Sequence, residues 1–251
     1  VRVNALTPLR GGAPTLEGFA SNDLMVGAAS ADRILGGFGD DRLEGGPGGG
    51  ADTLEGGPGD DTLEGGDGAD RLPADAGLDT ADYSRAARSV GVRLDGAPGW
   101  AGAEGDRIVG VERLIGSAFP DALTGDAGAN HLSGGGGSDR MFGFGGDDIL
   151  AGDAGADTLD GGDGVDIADY AAASRPAGAR LDLNLGWGAA AGDRFQRIEG
   201  LAGSDLADAL GGDAGPNRLA GRGGDDRLLG LEGADILLGG PGPDTPDGGA
   251  G

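Results

Sequence analysis

The chain has no cysteine and no lysine, a single histidine, and only two Trp, two Tyr and six Phe in 251 residues. Each shortage excludes something. Without cysteine there is no disulfide framework, thiol chemistry or cysteine-ligated zinc. Without lysine no lysine-bearing phosphate loop can be assembled, and one histidine cannot make a His-Glu-x-x-His zinc motif. No Gly-x-Ser-x-Gly elbow surrounds Ser30, Ser84, Ser89, Ser133 or Ser204. So few aromatics exclude an ordinary globular core. No apolar run approaches the roughly 18 residues of a membrane-spanning helix. Residues 1–10, VRVNALTPLR, carry no apolar signal-peptide core. The chain does not begin with Met, which fits either a piece of a longer protein or an alternative start.

Glycine and negative charge are in excess. There are 60 Gly and 12 Pro, and 43 Asp and Glu stand against 18 Arg, for a net charge of −25. By composition alone such a chain is disordered. Its charge disfavours nucleic acid and anionic membrane surfaces and favours cations. Glycine excess means disorder only when it lacks a period, and here it has one.

With GGPGDDTLE (residues 56–64) as template, the sixth position recurs in steps of nine. One block runs Asp23, Asp32, Asp41, Asp52, Asp61, Asp70, Asp79. A second runs Asp121, Asn130, Asp139, Asp148, Asp157, Asp166, and a third Asp208, Asn217, Asp226, Asp235, Asp244. The single irregular step, of 11 residues from Asp41 to Asp52, carries extra glycine. Two positions after each of these residues stands Leu, Ile or Met, except Ala81, Ala168 and Pro246, each in the last repeat of its block. Position 4 departs from Gly at Ser21, Ser30, Phe119 and Leu206, in the opening repeats. Degenerate ends around regular middles are the mark of stacked units. A longer period of 87 relates Tyr83 to Tyr170, Trp100 to Trp187 and Asp106 to Asp193. The organisation is therefore three repeat blocks, 16–83, 112–170 and 199–251, separated by spacers 84–111 and 171–198. The spacer runs Val90-Gly91-Val92-Arg93-Leu94 and Leu181-Asp182-Leu183-Asn184-Leu185 alternate at period two and are expected to be strands.

Within one repeat, glycine at positions 1, 2 and 4 allows a tight turn. The last three residues suffice for a minimal strand with its central apolar residue inward. Two repeats, 18 residues, then close one coil, and coils stack as parallel strands about 4.8 Å apart. If the spacers continue this stacking, the three blocks form one rod, with the Gly/Ala-rich stretches 96–105 and 186–192 protruding as loops. Asp residues one coil apart repel, and burying them unpaired is costly. A hard cation between the turns resolves this. Calcium takes six to eight oxygens from carboxylates and carbonyls, which is what these turns supply, whereas zinc needs His or Cys and magnesium demands stricter octahedral geometry.

The pattern resembles the hemolysin-type calcium-binding repeats of the RTX (repeats-in-toxin) family, with consensus GGxGxDxUx. The likeness covers 16–83, 112–170 and 199–249. It implies an all-β fold, a right-handed parallel β-roll or β-solenoid with two repeats per coil and several Ca²⁺ ions between coils. It also implies export by type I secretion machinery to the extracellular space, although residues 239–251, GGPGPDTPDGGAG, show no terminal secretion signal.

The expected metal ligands are Asp41, Asp52, Asp61, Asp70, Asp79, Asp121, Asn130, Asp139, Asp148, Asp157, Asp166, Asp208, Asn217, Asp226, Asp235 and Asp244. The strongest pairs are Asp52 with Asp70, Asp61 with Asp79, Asp139 with Asp157, Asp148 with Asp166, and Asp226 with Asp244. Pairs containing Asn130 or Asn217 should be weaker. The glycine insertion is expected to disturb or bulge Asp32 with Asp52 and Asp41 with Asp61, and Asp23, Asp121 and Asp208 sit in defective first turns. His131 is expected at the surface, Phe142 and Phe144 over a coil edge, and Trp100 and Trp187 packed over an end of the coil rather than stacking on sugars. The expected function is a calcium-binding β-roll module of a secreted protein, monomeric and not an enzyme. The alternatives are an adhesin or structural solenoid, or the accessory repeats of a polysaccharide-active enzyme.

Overall fold

Three residues decide each strand. In Thr53–Glu55, Thr62–Glu64 and Arg42–Glu44 the central Leu is fully buried while its neighbours remain partly open to solvent. The computed structural model of the chain describes residues 3–4 and 15–250. The start read above as lacking a signal-peptide core lies outside the described residues apart from Val3 and Asn4, as does Gly251. The described residues hold strands and no helix, and they form two compact units: the chain up to Ala118 with Ala122–Asp126, and Phe119–Asp121 with Ala127 onward.

In the first unit one sheet stacks Val3–Asn4, Leu24–Val26, Arg42–Glu44, Thr62–Glu64, Thr80–Asp82 and Arg113–Ile115. The other stacks Thr15–Glu17, Arg33–Leu35, Thr53–Glu55, Arg71–Pro73 and Arg107–Val109. All these strands pair in parallel, and the register sets Leu43 beside Leu63 and Ile34 beside Leu54. The core is two facing columns of Leu, Ile and Met, which is how a chain so poor in aromatics buries apolar area. In the second unit His131–Ser133, Ile149–Ala151, Ile167–Asp169, Gly200–Ala202, Arg218–Ala220 and Ile236–Leu238 make one sheet. Facing it are Arg140–Gly145, Thr158–Asp163 and Arg194–Gln196, then Ala177–Arg180, Ala209–Gly211, Arg227–Leu229 and Thr245–Asp247. Each unit is thus a β-solenoid of parallel coils.

Of the two outcomes expected at the glycine insertion, disturbance or a bulge, the structure shows the bulge: Arg33–Leu35 pairs with Thr53–Glu55 as elsewhere, and the extra residues bulge outward, with nothing within 4 Å of where a Gly49 side chain would stand. Two expectations need correction. The run 181–185 is not a strand. The strand is Ala177–Arg180, and Leu181 to Asn184 turn the chain, with Leu183 and Leu185 exposed. An Arg180–Asp182 ion pair and the positive φ of Asn184 shape that turn. The Gly/Ala-rich stretches do not protrude. Trp100–Ala101 folds back antiparallel on Val90–Arg93, and Leu185–Gly188 on Ala177–Arg180. Each indole lies on the bare Cα of a strand glycine, Trp100 on Gly91 and Trp187 on Gly178, where a methyl would collide with the ring. His131 is half-buried on its strand, and Phe142 and Phe144 are exposed.

Candidate metal centre

The site begins with backbone handedness. Position 2 of the turn has positive φ where it is Gly, as at Gly57 (101°), and also where it is Phe144 (78°), Asp153 (62°), Arg222 (77°) or Leu231 (83°). A left-handed residue there, costly without glycine, closes the turn so that the position-6 carboxylate points back into it. That carboxylate then does two things.

Its Oδ1 accepts the backbone N–H of the corresponding residue one coil earlier. Asp41 donates to Asp61 and Asp61 to Asp79, both at 2.8 Å. Asp23 donates to Asp41 at 2.7 Å, and Asp32 to Asp52 and Asp52 to Asp70 at 2.8 Å. In the second unit Asp121 donates to Asp139, Asp139 to Asp157 and Asp148 to Asp166 at 2.8 Å, and Asn130 to Asp148 at 2.7 Å. Asp208 donates to Asp226 at 2.8 Å, Asn217 to Asp235 at 2.9 Å and Asp226 to Asp244 at 3.0 Å. Every pair ranked strongest from the sequence is joined in this way. So are the two pairs across the insertion, where the expected bulge absorbs the added length and leaves the pairing undisturbed.

Its Oδ2 turns onto the Cα of the first glycine of the same repeat. A side chain on Gly36 would run into both Asp41 Oδ2 and the carbonyl oxygen of Gly56, one coil on; Gly134, Gly203 and Gly221 are placed alike. Two oxygens from successive coils therefore converge on one glycine face. The Oδ2 atoms of Asp41, Asp61, Asp70, Asp79, Asp139, Asp157, Asp166, Asp226 and Asp235 are buried and receive no hydrogen bond. Burial, reinforced by neighbouring carboxylates, pushes Asp61, Asp70, Asp139 and Asp157 up to about 7 and Asp79 to about 6.

A buried row of acceptor oxygens without donors is an unfinished electrostatic arrangement. The donor set is oxygen only, which fits a hard cation such as calcium and not zinc. Among the described residues no three His, Cys, Asp or Glu side chains converge, so backbone carbonyls must complete any coordination shell. At Asp41, Asp139, Asp226 and Asp235 a glycine carbonyl of the next coil converges on the same glycine face as Oδ2 and is placed to do that.

At three of the turns whose position 2 is not left-handed, the position-2 N–H turns inward and caps an oxygen of the position-6 side chain. Ala28 donates to Asp32 Oδ2 at 2.6 Å, Ser204 to Asp208 Oδ2 at 2.5 Å and Asp213 to Asn217 Oδ1 at 2.7 Å. Asp79 departs from this pattern, keeping an unpartnered Oδ2 although Asp75 is not left-handed.

Four ladder members escaped the sequence reading. Asp70 donates to Asp106 at 2.8 Å and Asp157 to Asp193 at 2.9 Å, each 36 residues on. Asp79 donates to Glu112 at 3.0 Å and Asp166 to Glu199 at 2.9 Å, each 33 residues on. Asp106 and Asp193 were findable, because they keep the nine-residue phase of their blocks across the spacers. The intervening in-phase positions, Arg88 and Ala97, then Arg175 and Asn184, hide that phase. The glutamates reach the ladder by side-chain length, which no period reports.

A search among curated proteins finds none that matches the chain. The RTX calcium-binding nonapeptide repeat pattern matches residues 17–49, 47–81, 108–141, 142–172 and 211–246. With its turns, its stacked parallel coils and most of its length matched, the chain belongs to the family of RTX calcium-binding nonapeptide repeat proteins.

Proposed function

We propose that this chain is a calcium-driven folding module of an exported protein, uncoiled where calcium is scarce and coiled where it is abundant. The observation that carries this reading is the row of buried, donorless Oδ2 atoms at Asp41, Asp61, Asp70, Asp139 and Asp157, with a glycine carbonyl of the next coil converging on the same glycine face at Asp41 and Asp139. Bound calcium supplies the positive charge and oxygen coordination that this row lacks. The residues that would hold it are the uncapped ladder aspartates together with the position-1 carbonyls. The chain's own part is to present these oxygens at successive coils, bury the Leu column behind them and keep water from the carboxylates.

Without a cation the net charge of −25 and the buried carboxylates oppose coiling. Binding free energy therefore becomes folding free energy. Extracellular calcium modules work at about 10⁻⁴–10⁻³ M, far above cytosolic levels, so the chain would stay unfolded until exported. Family membership supports secretion by the type I route. The reading is of a non-catalytic monomer whose paired carboxylates serve the ladder. Far-ultraviolet circular dichroism with calcium, with magnesium and with chelator tests it. The expected result is β structure with calcium alone; a chelated chain already rich in β structure overturns it.

A further inference from the structure

Each spacer ends a ladder with a residue unlike the others. Asp106 is 2% exposed and Asp193 1% exposed, as deeply buried as the ladder aspartates before them. Oδ1 of each accepts the N–H of Asp70 or Asp157, in the ladder manner. Oδ2 does not stand alone. The Tyr83 hydroxyl donates to Asp106 Oδ2 at 2.8 Å, and the Tyr170 hydroxyl to Asp193 Oδ2 at 2.7 Å. Both phenols are buried, 5% and 4% exposed. Each ring is fixed by its own backbone, with the Tyr83 N–H on Ile115 O and the Tyr170 N–H on Ala202 O. The same construction occurs once in each unit.

We infer that Tyr83 and Tyr170 take the cation's place at these steps, so that Asp106 and Asp193 are ladder members that hold no calcium and lock the spacers without it. This rests on the reading of the other ladder aspartates as cation ligands. A phenol hydroxyl offers one proton to one oxygen, which satisfies a terminal carboxylate. It also occupies the space beside Oδ2 that a cation and its further oxygens would need. Burial, then the facing carboxylates, hold both phenols well above the usual range, in keeping with a proton retained between Tyr and Asp. Calcium-dependent coils thus run up to Asp70 and Asp157, and the next step is tied by a hydrogen bond.

The test compares Asp70→Asn with Asp106→Asn in the full chain, measuring bound calcium after equilibrium dialysis. Asp70→Asn should lower the calcium held per chain, and Asp106→Asn should leave it unchanged. A second measurement does not depend on how the variants fold. Tyr83 and Tyr170 are the only tyrosines in the chain, so the appearance of tyrosinate absorbance in the calcium-loaded protein reports on them alone. It should be delayed well beyond the ordinary phenol range, and in Tyr83→Phe the remaining tyrosine should stay delayed. Loss of calcium in Asp106→Asn equal to that in Asp70→Asn overturns the inference, as does ordinary titration of either tyrosine in the loaded chain. If Asp70→Asn keeps all its calcium, the ladder reading itself fails, and the tyrosine titration alone judges the lock.

Discussion

The carboxylate of Asp61 accepts the backbone N–H of Asp41 at 2.8 Å through Oδ1 and leaves Oδ2 buried with no donor. Asp32 contrasts in which oxygen is satisfied: its Oδ2, on the glycine face, is capped at 2.6 Å by the N–H of Ala28, and it is Oδ1 that is buried with no donor. Asp61→Ala removes the acceptor for a buried N–H, a loss of about 1–3 kcal/mol, and removes a cation ligand as well. Its calcium midpoint should move upward several-fold. Asp32→Ala should lower stability in saturating calcium while shifting the calcium midpoint little. Calcium titrations followed by circular dichroism separate the two, and equal midpoint shifts would show that the local cap does not decide which turns take an ion.

That contrast also marks what the sequence could reveal. The nine-residue step placed the ladder aspartates and the Leu column, because both follow from repetition alone. It could not show that Ala28, Ser204 and Asp213 turn an N–H inward while Phe144, Asp153, Arg222 and Leu231 do not, since the handedness of position 2 is imposed by the coil on residues that rarely adopt it. The spacers were read less well. The 87-residue offset carries Val90 to Ala177 and so marks Ala177–Arg180 as the second spacer strand. The alternating leucines at 181–185 drew the assignment four residues too far along. Alternation in a short run is a weaker signal than correspondence between duplicated halves.

Acid should partly replace calcium in coiling the chain. In the ion-free coil Asp61, Asp70, Asp139 and Asp157 are pushed up to about 7, against about 3.9 for an unfolded Asp. A raised folded value means that the coil binds protons more tightly than the unfolded chain. Its stability is therefore greatest below about pH 4 and is lost as the pH rises through about 7. With chelator present, β structure should grow as the pH is lowered from about 8 to about 5. With calcium present, the concentration needed for half-folding should fall over the same interval, because protons and calcium bind the same oxygens and each favours the coil. A chelated chain whose β content does not change, or falls, would count against this placement of the carboxylates.

The convergence of oxygens on position 1 predicts a sharp difference between glycines. A methyl on Gly36 meets Asp41 Oδ2 and Gly56 O, whereas one on Gly49 meets nothing within 4 Å. Gly36→Ala should cost at least the roughly 1–3 kcal/mol of an overpacked interior site and raise the calcium requirement. Gly49→Ala should stay within about 0.5 kcal/mol of the parent. Thermal unfolding in excess calcium measures both, and a silent Gly36→Ala would mean that the turn opens more readily than its hydrogen bonds suggest.

The outer face of the first unit carries like charges that a cation between coils would not reach. Glu44 and Glu64 are register partners on adjacent parallel strands, an arrangement that destabilises a sheet. Arg42 bridges them, 2.8 Å from Glu44 and 2.7 Å from Glu64, and Arg85 meets the same two carboxylates at 3.1 and 3.0 Å. Burial, more than its charged neighbours, pushes the Glu64 carboxyl upward, so this pair is sensitive to losing a cation. Arg42→Gln should lower stability in saturating calcium by about 1 kcal/mol, and by less at high salt because screening weakens the repulsion it exposes. Adding Glu64→Gln to that variant removes one of the repelling charges and should restore most of the loss. Thermal unfolding of the single and double variants at low and high salt provides the measurement. A double variant no more stable than Arg42→Gln alone would show that Arg42 acts through the packing of its aliphatic stem rather than by neutralising the glutamate pair.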